Sequence, residues 1–182
     1  MFTIEKNVSN EIIINKSRFI CYLFKADNLY DVKKYIEEIK LEYKDATHYC
    51  YSYIIGNVKK AFDDKEPSHT AGLPILNVLE NKKLDNILAI VVRYFGGTKL
   101  GAGGLVRAYT EAVTKCLDKT KIIRNIKLLS KKIKFKYEDI NTINYLLKDY
   151  KITYKEYDSD VIYEFIYEEN NYPDSIDKYL IK

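Results

Sequence analysis

Residues Ile87 to Phe95, ILAIVVRYF, show no alternation of apolar and polar side chains, and they run directly into five glycines within the nine residues Gly96 to Gly104. An apolar run without period two suits a central strand covered on both faces. The glycine cluster then demands a turn where side chains must be absent, either for positive φ or for close approach of another group. Beyond it Leu105, Tyr109, Ala112, Val113, Cys116 and Leu117 recur at helical spacing, with Arg107, Glu111, Thr114 and Asp118 opposite. All seven glycines lie between Gly56 and Gly104, so backbone freedom is concentrated in one central region.

A strand, a glycine-rich turn and a helix aim several backbone N–H groups and the positive end of a helix dipole at one place, which is where anions bind. Arg93, Gly96, Gly97, Lys99, Gly101, Gly103, Gly104 and Arg107 are the candidate anion or nucleic-acid surface. The spacing is neither G-x-x-x-x-G-K-[ST] nor G-x-G-x-x-G, so no nucleotide fingerprint applies. Tight strand-to-helix packing with no ligand accounts for the same glycines.

Around this block the chain reads as α+β. Residues 11–26 give one or two strands, with Arg18, Ile20, Tyr22 and Phe24 on one side and Phe19, Cys21 and Leu23 on the other. A helix is expected from an N-cap at Asp27, with Leu29, Val32, Ile36, Ile39 and Tyr43 along one face. HYCYSYII is a strand; residues 56–72 read as a loop that leads into a short helix near Pro74. From about Ser130 the glycines vanish and the order becomes βαββα, with helices over DINTINYLLKDY and PDSIDKYLI. That pattern reads as a ferredoxin-like half and divides the chain into domains at 1–127 and 128–182.

Charge follows the same division. Residues 1–128 hold 21 Lys and Arg against 15 Asp and Glu, a net of +6, while residues 129–182 hold 9 against 11, a net of −2. A positive first half suits nucleic acid or ribosome surfaces, though many ordinary cytosolic domains carry as modest an excess. Its longest aliphatic run, Ile87 to Val92, is far shorter than the ~20 residues of a membrane span. MFTIEKNVSN lacks the pattern of a secretory signal, and Cys21, Cys50 and Cys116 form no CxxC, so reduced thiols and a cytoplasmic location are expected.

A second cluster lies in the loop before the short helix. Asp63, Asp64 and Glu66, followed by Ser68, His69 and Thr70 and with His48 as a possible neighbour, read either as an acid/base or cation-binding group or as a solvated turn with helix caps. His48, Asp64, Glu66, Ser68 and Thr70 are the candidate second wall of the site. A Ser68 and His69 dyad fails because adjacent side chains point apart. No metal or other cofactor is assigned. Tyr49, Tyr51 and Tyr53 share a strand face that serves either core packing or base stacking.

KSRF at Lys16 to Phe19, DATHYC at Asp45 to Cys50, DDKEPSHTAGLPIL at Asp63 to Leu76 and VVRYFGGTKLGAGGLVRAY at Val91 to Tyr109 together resemble the YigZ/IMPACT family. That resemblance implies a first domain with the fold of the second domain of a small-subunit ribosomal protein. It also implies a second domain similar to the ferredoxin-like end domain of elongation factor G, and partners drawn from RNA, the ribosome or translation factors. Lys65, His69 and Leu73 stand where the family pattern has two glycines and a basic residue. Three functions are carried forward: a translation-associated RNA or ribosome binder, an enzyme on a phosphorylated or nucleotide substrate using Asp63 to Glu66, and a protein-binding adaptor.

Overall fold

In a computed structural model, which describes residues 1–126, 128–169 and 171–180, the chain divides into two compact units, Met1–Asn125 and Ile126–Lys182. The expected division at 127 falls on a residue outside those described. No helix among the described residues is long and apolar enough to cross a membrane.

The first unit is built on β2 (Val8–Ile14), β3 (Ser17–Lys25), β4 (His48–Ile55), β5 (Val58–Phe62) and β6 (Ile87–Tyr94), with β1 (Phe2–Ile4) and β7 (Ile122–Arg124) as a separate antiparallel pair. The five-stranded sheet runs β2-β3-β6-β4-β5, and its neighbouring strands are all antiparallel. Three helices accompany it: α1 (Leu29–Glu42), α2 (Gly72–Asn81) and α3 (Gly101–Leu117).

β6 is the central strand because both its faces are covered. Ile87, Ala89 and Val91 pack into one cluster with Leu79 of α2 and Tyr109 and Val113 of α3. Leu88, Ile90 and Val92 pack into another with Val32 and Ile39 of α1. The alternation expected for β3 appears as the same split, with Phe19, Cys21 and Leu23 in the first cluster and Ile20, Tyr22 and Phe24 in the second. The stripe expected on α3 is buried throughout, and Arg107, Glu111, Thr114 and Asp118 face solvent.

The structure settles one local alternative, changes two expectations and adds two strands. Residues 11–26 form parts of two strands, because Asn15 and Lys16 at φ 45° and 65° close a tight left-handed hairpin turn. The cap of α1 is Asn28, not Asp27: its side chain accepts from Asp31 N–H at 3.0 Å, while the Asp31 carboxylate accepts from Asp27 N–H at 3.1 Å. Residues 58–62 are a strand, not loop. Every residue of β5 is exposed, so no burial alternation marked it in the sequence. β1 and β7 are three-residue strands too short to show a period.

The second unit holds β8 (Leu128–Phe135), a 3₁₀ turn at Tyr137–Asp139, α4 (Ile140–Leu146), β9 (Lys151–Tyr157), β10 (Val161–Glu168) and a 3₁₀ run at Asp174–Tyr179. Its strands are ordered β8-β10-β9, all antiparallel, over a core of Ile133, Phe135, Ile143, Tyr163 and Phe165. The expected helix over 139–150 is cut to seven residues. The final helix is a 3₁₀ run after Pro173, and Ile181 at its expected end lies outside the described residues.

Asn28→Ala removes the acceptor for the first turn of α1 and should lower stability by about 1 kcal/mol, with a smaller effect for Ser9→Ala on the exposed side of β2. Urea unfolding followed by far-UV circular dichroism measures the difference.

Candidate functional site

The turn from β6 to α3 is anchored at its first glycine and open at the rest. Gly96 N–H donates to Ser17 Oγ at 3.1 Å, and a Cβ on Gly96 would lie 2.0 Å from the carbonyl carbon of Lys16. Gly96 therefore serves close packing against the β2–β3 hairpin and contributes no amide to a ligand surface. The residue before it is also held, since Phe95 N–H donates to Thr47 Oγ1 at 3.0 Å.

Gly97 to Lys99 and Gly101 to Gly103 are exposed, while Leu100 between them is half-buried against the core. Gly97 and Gly101 adopt φ of +84° and +69° with open space where a side chain would stand. Leu100 caps α3 without a side-chain bond; among the described residues the amides of Gly97 to Leu100 make no loop hydrogen bond, and those of Gly101 to Gly103 stand in the first turn, ahead of the i→i−4 ladder. Lys99 and Arg107 are exposed on this segment, and Arg107 reaches back so that its guanidinium lies 3.8 Å from where a Gly103 Cβ would be. Gly104 is half-buried, facing Leu100.

Arg93 lies elsewhere. It is only 5% exposed and its Nη1 is 2.5 Å from Glu66 Oε1, with Glu66 itself 8% exposed. Tyr109 donates to the same oxygen at 2.8 Å, and His48 Nε2 stands 3.9 Å from it. The Arg93 guanidinium also contacts Ser17 Oγ at 3.4 Å and sits over the rings of Phe19 and Phe95. His48, Arg93 and Phe19 are cross-strand partners on β4, β6 and β3, which places all three on the face that α3 covers. Arg93 thus neutralises Glu66 inside the fold instead of offering a charge to a ligand.

The acidic loop is equally committed to its own backbone. Asp63 accepts from His69, Ala71 and Gly72 N–H at 3.0, 3.0 and 2.8 Å. Burial opposes its charge, but the three amides outweigh that and hold its carboxyl below the usual value. Asp64 accepts from Tyr49 N–H at 2.7 Å, and its carbonyl receives His48 Nδ1–H at 2.7 Å. Thr70 donates to the Pro67 carbonyl at 2.6 Å, while Ser68 is exposed. Asp64, Lys65 and His69 adopt φ of 44°, 66° and 64°, so two non-glycine residues hold the left-handed positions that the family pattern fills with glycine.

Three residues outside the expected set complete this centre. Ser17 links Arg93 to Gly96; Tyr109 and Cys50 extend the bonds from Glu66, with Cys50 Sγ 3.3 Å from Tyr109 Oη and 3.0 Å from the Asp63 carbonyl, two acceptors that share its one S–H. Burial pushes both the Cys50 thiol and the Tyr109 hydroxyl up, which keeps them neutral donors. The sequence signal for them lay in the quoted blocks, since KSRF contains Ser17, DATHYC contains Cys50 and RAY contains Tyr109. Tyr53 is buried and Tyr49 and Tyr51 pack beside α1, so these tyrosines belong to the core face. Among the described residues no group of three or more His, Cys, Asp and Glu is gathered as metal ligands.

The family model for the Impact N-terminal domain matches residues 15–117, which contain the glycine turn, the acidic loop and every residue of the buried centre. The chain belongs to the IMPACT family. It is 47% identical over 120 residues to the IMPACT family member YvyE of Bacillus subtilis, covering 64% of this chain and 55% of that protein, so it spans about half of that relative. It is 36% identical over 156 residues to the IMPACT family member YigZ of Escherichia coli, covering 82% and 76% respectively. A crystal structure of a hypothetical protein matches with a TM-score of 0.68 at 32% identity, covering 91% of this chain and 84% of that one.

Within this IMPACT domain the glycines separate into packing and open positions, and substitution distinguishes them. Gly96→Ala drives a Cβ into backbone and should destabilise the first unit by roughly 3 kcal/mol. Gly103→Ala adds a methyl on a helix in ordinary contact with the flexible Arg107 side chain, 3.8 Å away, and should be neutral or stabilising by up to about 1 kcal/mol. Glu66→Gln leaves Arg93 buried without a countercharge and should cost about 3–5 kcal/mol. Because the Asp63 carboxyl is lowered in the folded state, its stabilisation is complete above the unfolded value near pH 4 and is lost as pH falls through the folded value. Asp63→Asn should flatten that acid limb in melts recorded against pH.

Proposed function

We propose that this protein binds RNA or the ribosome, as a regulator in translation, by taking phosphates at the turn from β6 to α3. The observation that carries this reading is the run of unused amides at Gly97 to Gly103, with Lys99 and the Arg107 guanidinium beside them. Donors that converge without internal acceptors, next to two exposed cations, suit a phosphodiester oxygen. The net charge of +6 over residues 1–128 draws an anionic polymer to the same half of the chain.

The surface is narrower than the glycine pattern implied, being Gly97, Lys99, Gly101, Gly103 and Arg107 with Gly104 at its edge. The acidic loop stands behind it as a support. Asp63, Asp64 and Glu66 each spend their charge on backbone amides or on Arg93, an arrangement that favours binding over acid/base catalysis. In the same reading the first unit corresponds to the second-domain fold of a small-subunit ribosomal protein. The β8-β10-β9 order of the second unit is that of three strands of a ferredoxin-like sheet.

Lys99→Glu should weaken binding to single-stranded RNA and to ribosomes and should reduce the slope of log K against log salt by about 1, leaving thermal unfolding unchanged. Fluorescence anisotropy across a salt series and ribosome co-sedimentation measure both. Unchanged affinity and slope in the folded variant would remove this surface from consideration.

A further inference from the structure

Strand β5 offers a second surface that the glycine turn does not explain. It is an edge strand paired on one side to β4, with Tyr51 opposite Phe62, Tyr53 opposite Lys60 and Ile55 opposite Val58. Cross-strand partners in an antiparallel pair point to one face, so Val58, Lys60 and Phe62 project on the face that carries α1. The intervening Lys59 points the other way and is bound to Glu80 of α2 at 2.8 Å. Val58 is 48% and Phe62 37% exposed, so α1 leaves this edge uncovered.

Phe62 does not stand alone there. Its ring lies 4.9 Å from that of half-buried Tyr51, tilted by 30°, which makes a two-ring step continuous with the core. Its backbone is fixed from behind, because a Cβ on Gly72 of α2 would fall 2.5 Å from Phe62 N. Lys60 is exposed and makes no ion pair among the described residues. The acids that follow Phe62 do not compete for it, since Asp63 and Asp64 are bonded to backbone amides. Lys60 is two residues from Phe62, about 6.6 Å along the strand, the scale of separation between a base and its own phosphate.

Resting on the RNA reading above, we infer that Phe62, backed by Tyr51, is a stacking platform for one unpaired base, with Lys60 taking the adjoining phosphate. Exposed aromatic rings next to an unpaired cation bind single strands irrespective of sequence, because every base offers a π face. An extended polypeptide needs free edge amides and apolar pockets. The lysine alternating with Val58 and Phe62 guards this edge against such pairing and at the same time suits a phosphate. The inference makes the ligand a single strand or loop of RNA, because bases within a duplex present no free face.

The test uses the full chain and a short single-stranded RNA carrying 2-aminopurine, whose fluorescence falls when it stacks. Wild type should quench the probe on binding, and Phe62→Tyr should do so equally. Phe62→Ala should lose the quench and about tenfold in affinity, and circular dichroism melts check that it is folded. Lys99→Glu should weaken binding yet still quench at saturation. Binding without quenching by wild type, or undiminished quenching and affinity in Phe62→Ala, overturns the platform and leaves the glycine-turn reading standing. The strip would then serve a protein partner or none. Equal binding of duplex RNA that Phe62→Ala does not alter also overturns it. If wild type binds no RNA at any salt concentration, the RNA reading fails and the platform with it.

Discussion

The buried ion pair of Glu66 and Arg93 is the contact on which the first unit turns. It joins three parts of the chain that no local preference would bring together: a loop with three left-handed non-glycine residues, the end of the central strand, and α3 through Tyr109. A charge pair so deeply placed has a large desolvation cost, which is offset only when its remaining hydrogen-bonding capacity is met. Here Tyr109 and Ser17 supply much of that, and Cys50 secures the tyrosine in turn. The loop is therefore fixed by its own carboxylates. Asp63 and Asp64 hold backbone amides in place, and Glu66 holds the side chains of Arg93 and Tyr109.

That rigidity determines what the neighbouring turn can do. Phe95 and Gly96 are bonded to Thr47 and Ser17, so the chain leaves the sheet at a defined point and direction. Past Gly96 the support ends, and the amides that follow lie ahead of the i→i−4 ladder of α3. A fixed base and an open rim are what anion recognition needs, because donors already in position lose little entropy on binding. The same logic applies at β5, where Gly72 allows the start of α2 to brace the strand from behind.

Much of this was legible in the sequence. The unbroken apolar run of β6, the period-two split of β3 and the helical stripe of α3 each reported which faces would be covered, because burial leaves a periodic trace. Short or fully exposed elements leave none, and so β1, β7 and β5 were silent. The glycines announced a stretch of unusual backbone but not their division of labour. Gly96 and Gly97 look alike as letters; one meets the Lys16 backbone and the other meets open space, a difference set by a hairpin far away in the chain. Arg93 was misleading for a related reason. Its charge is visible in sequence, whereas its partner, 27 residues away, is brought to it by the fold of the loop between β5 and α2.

The bond from Gly96 to Ser17 spans 79 positions of the chain. A contact across so long a span carries a loop-closure cost that no local segment meets by itself. A peptide cut out around the glycine block would therefore be shapeless, however faithfully it kept the motif. The opening hairpin works as a mould, and any reshaping of its tip would recast the turn that rests against it.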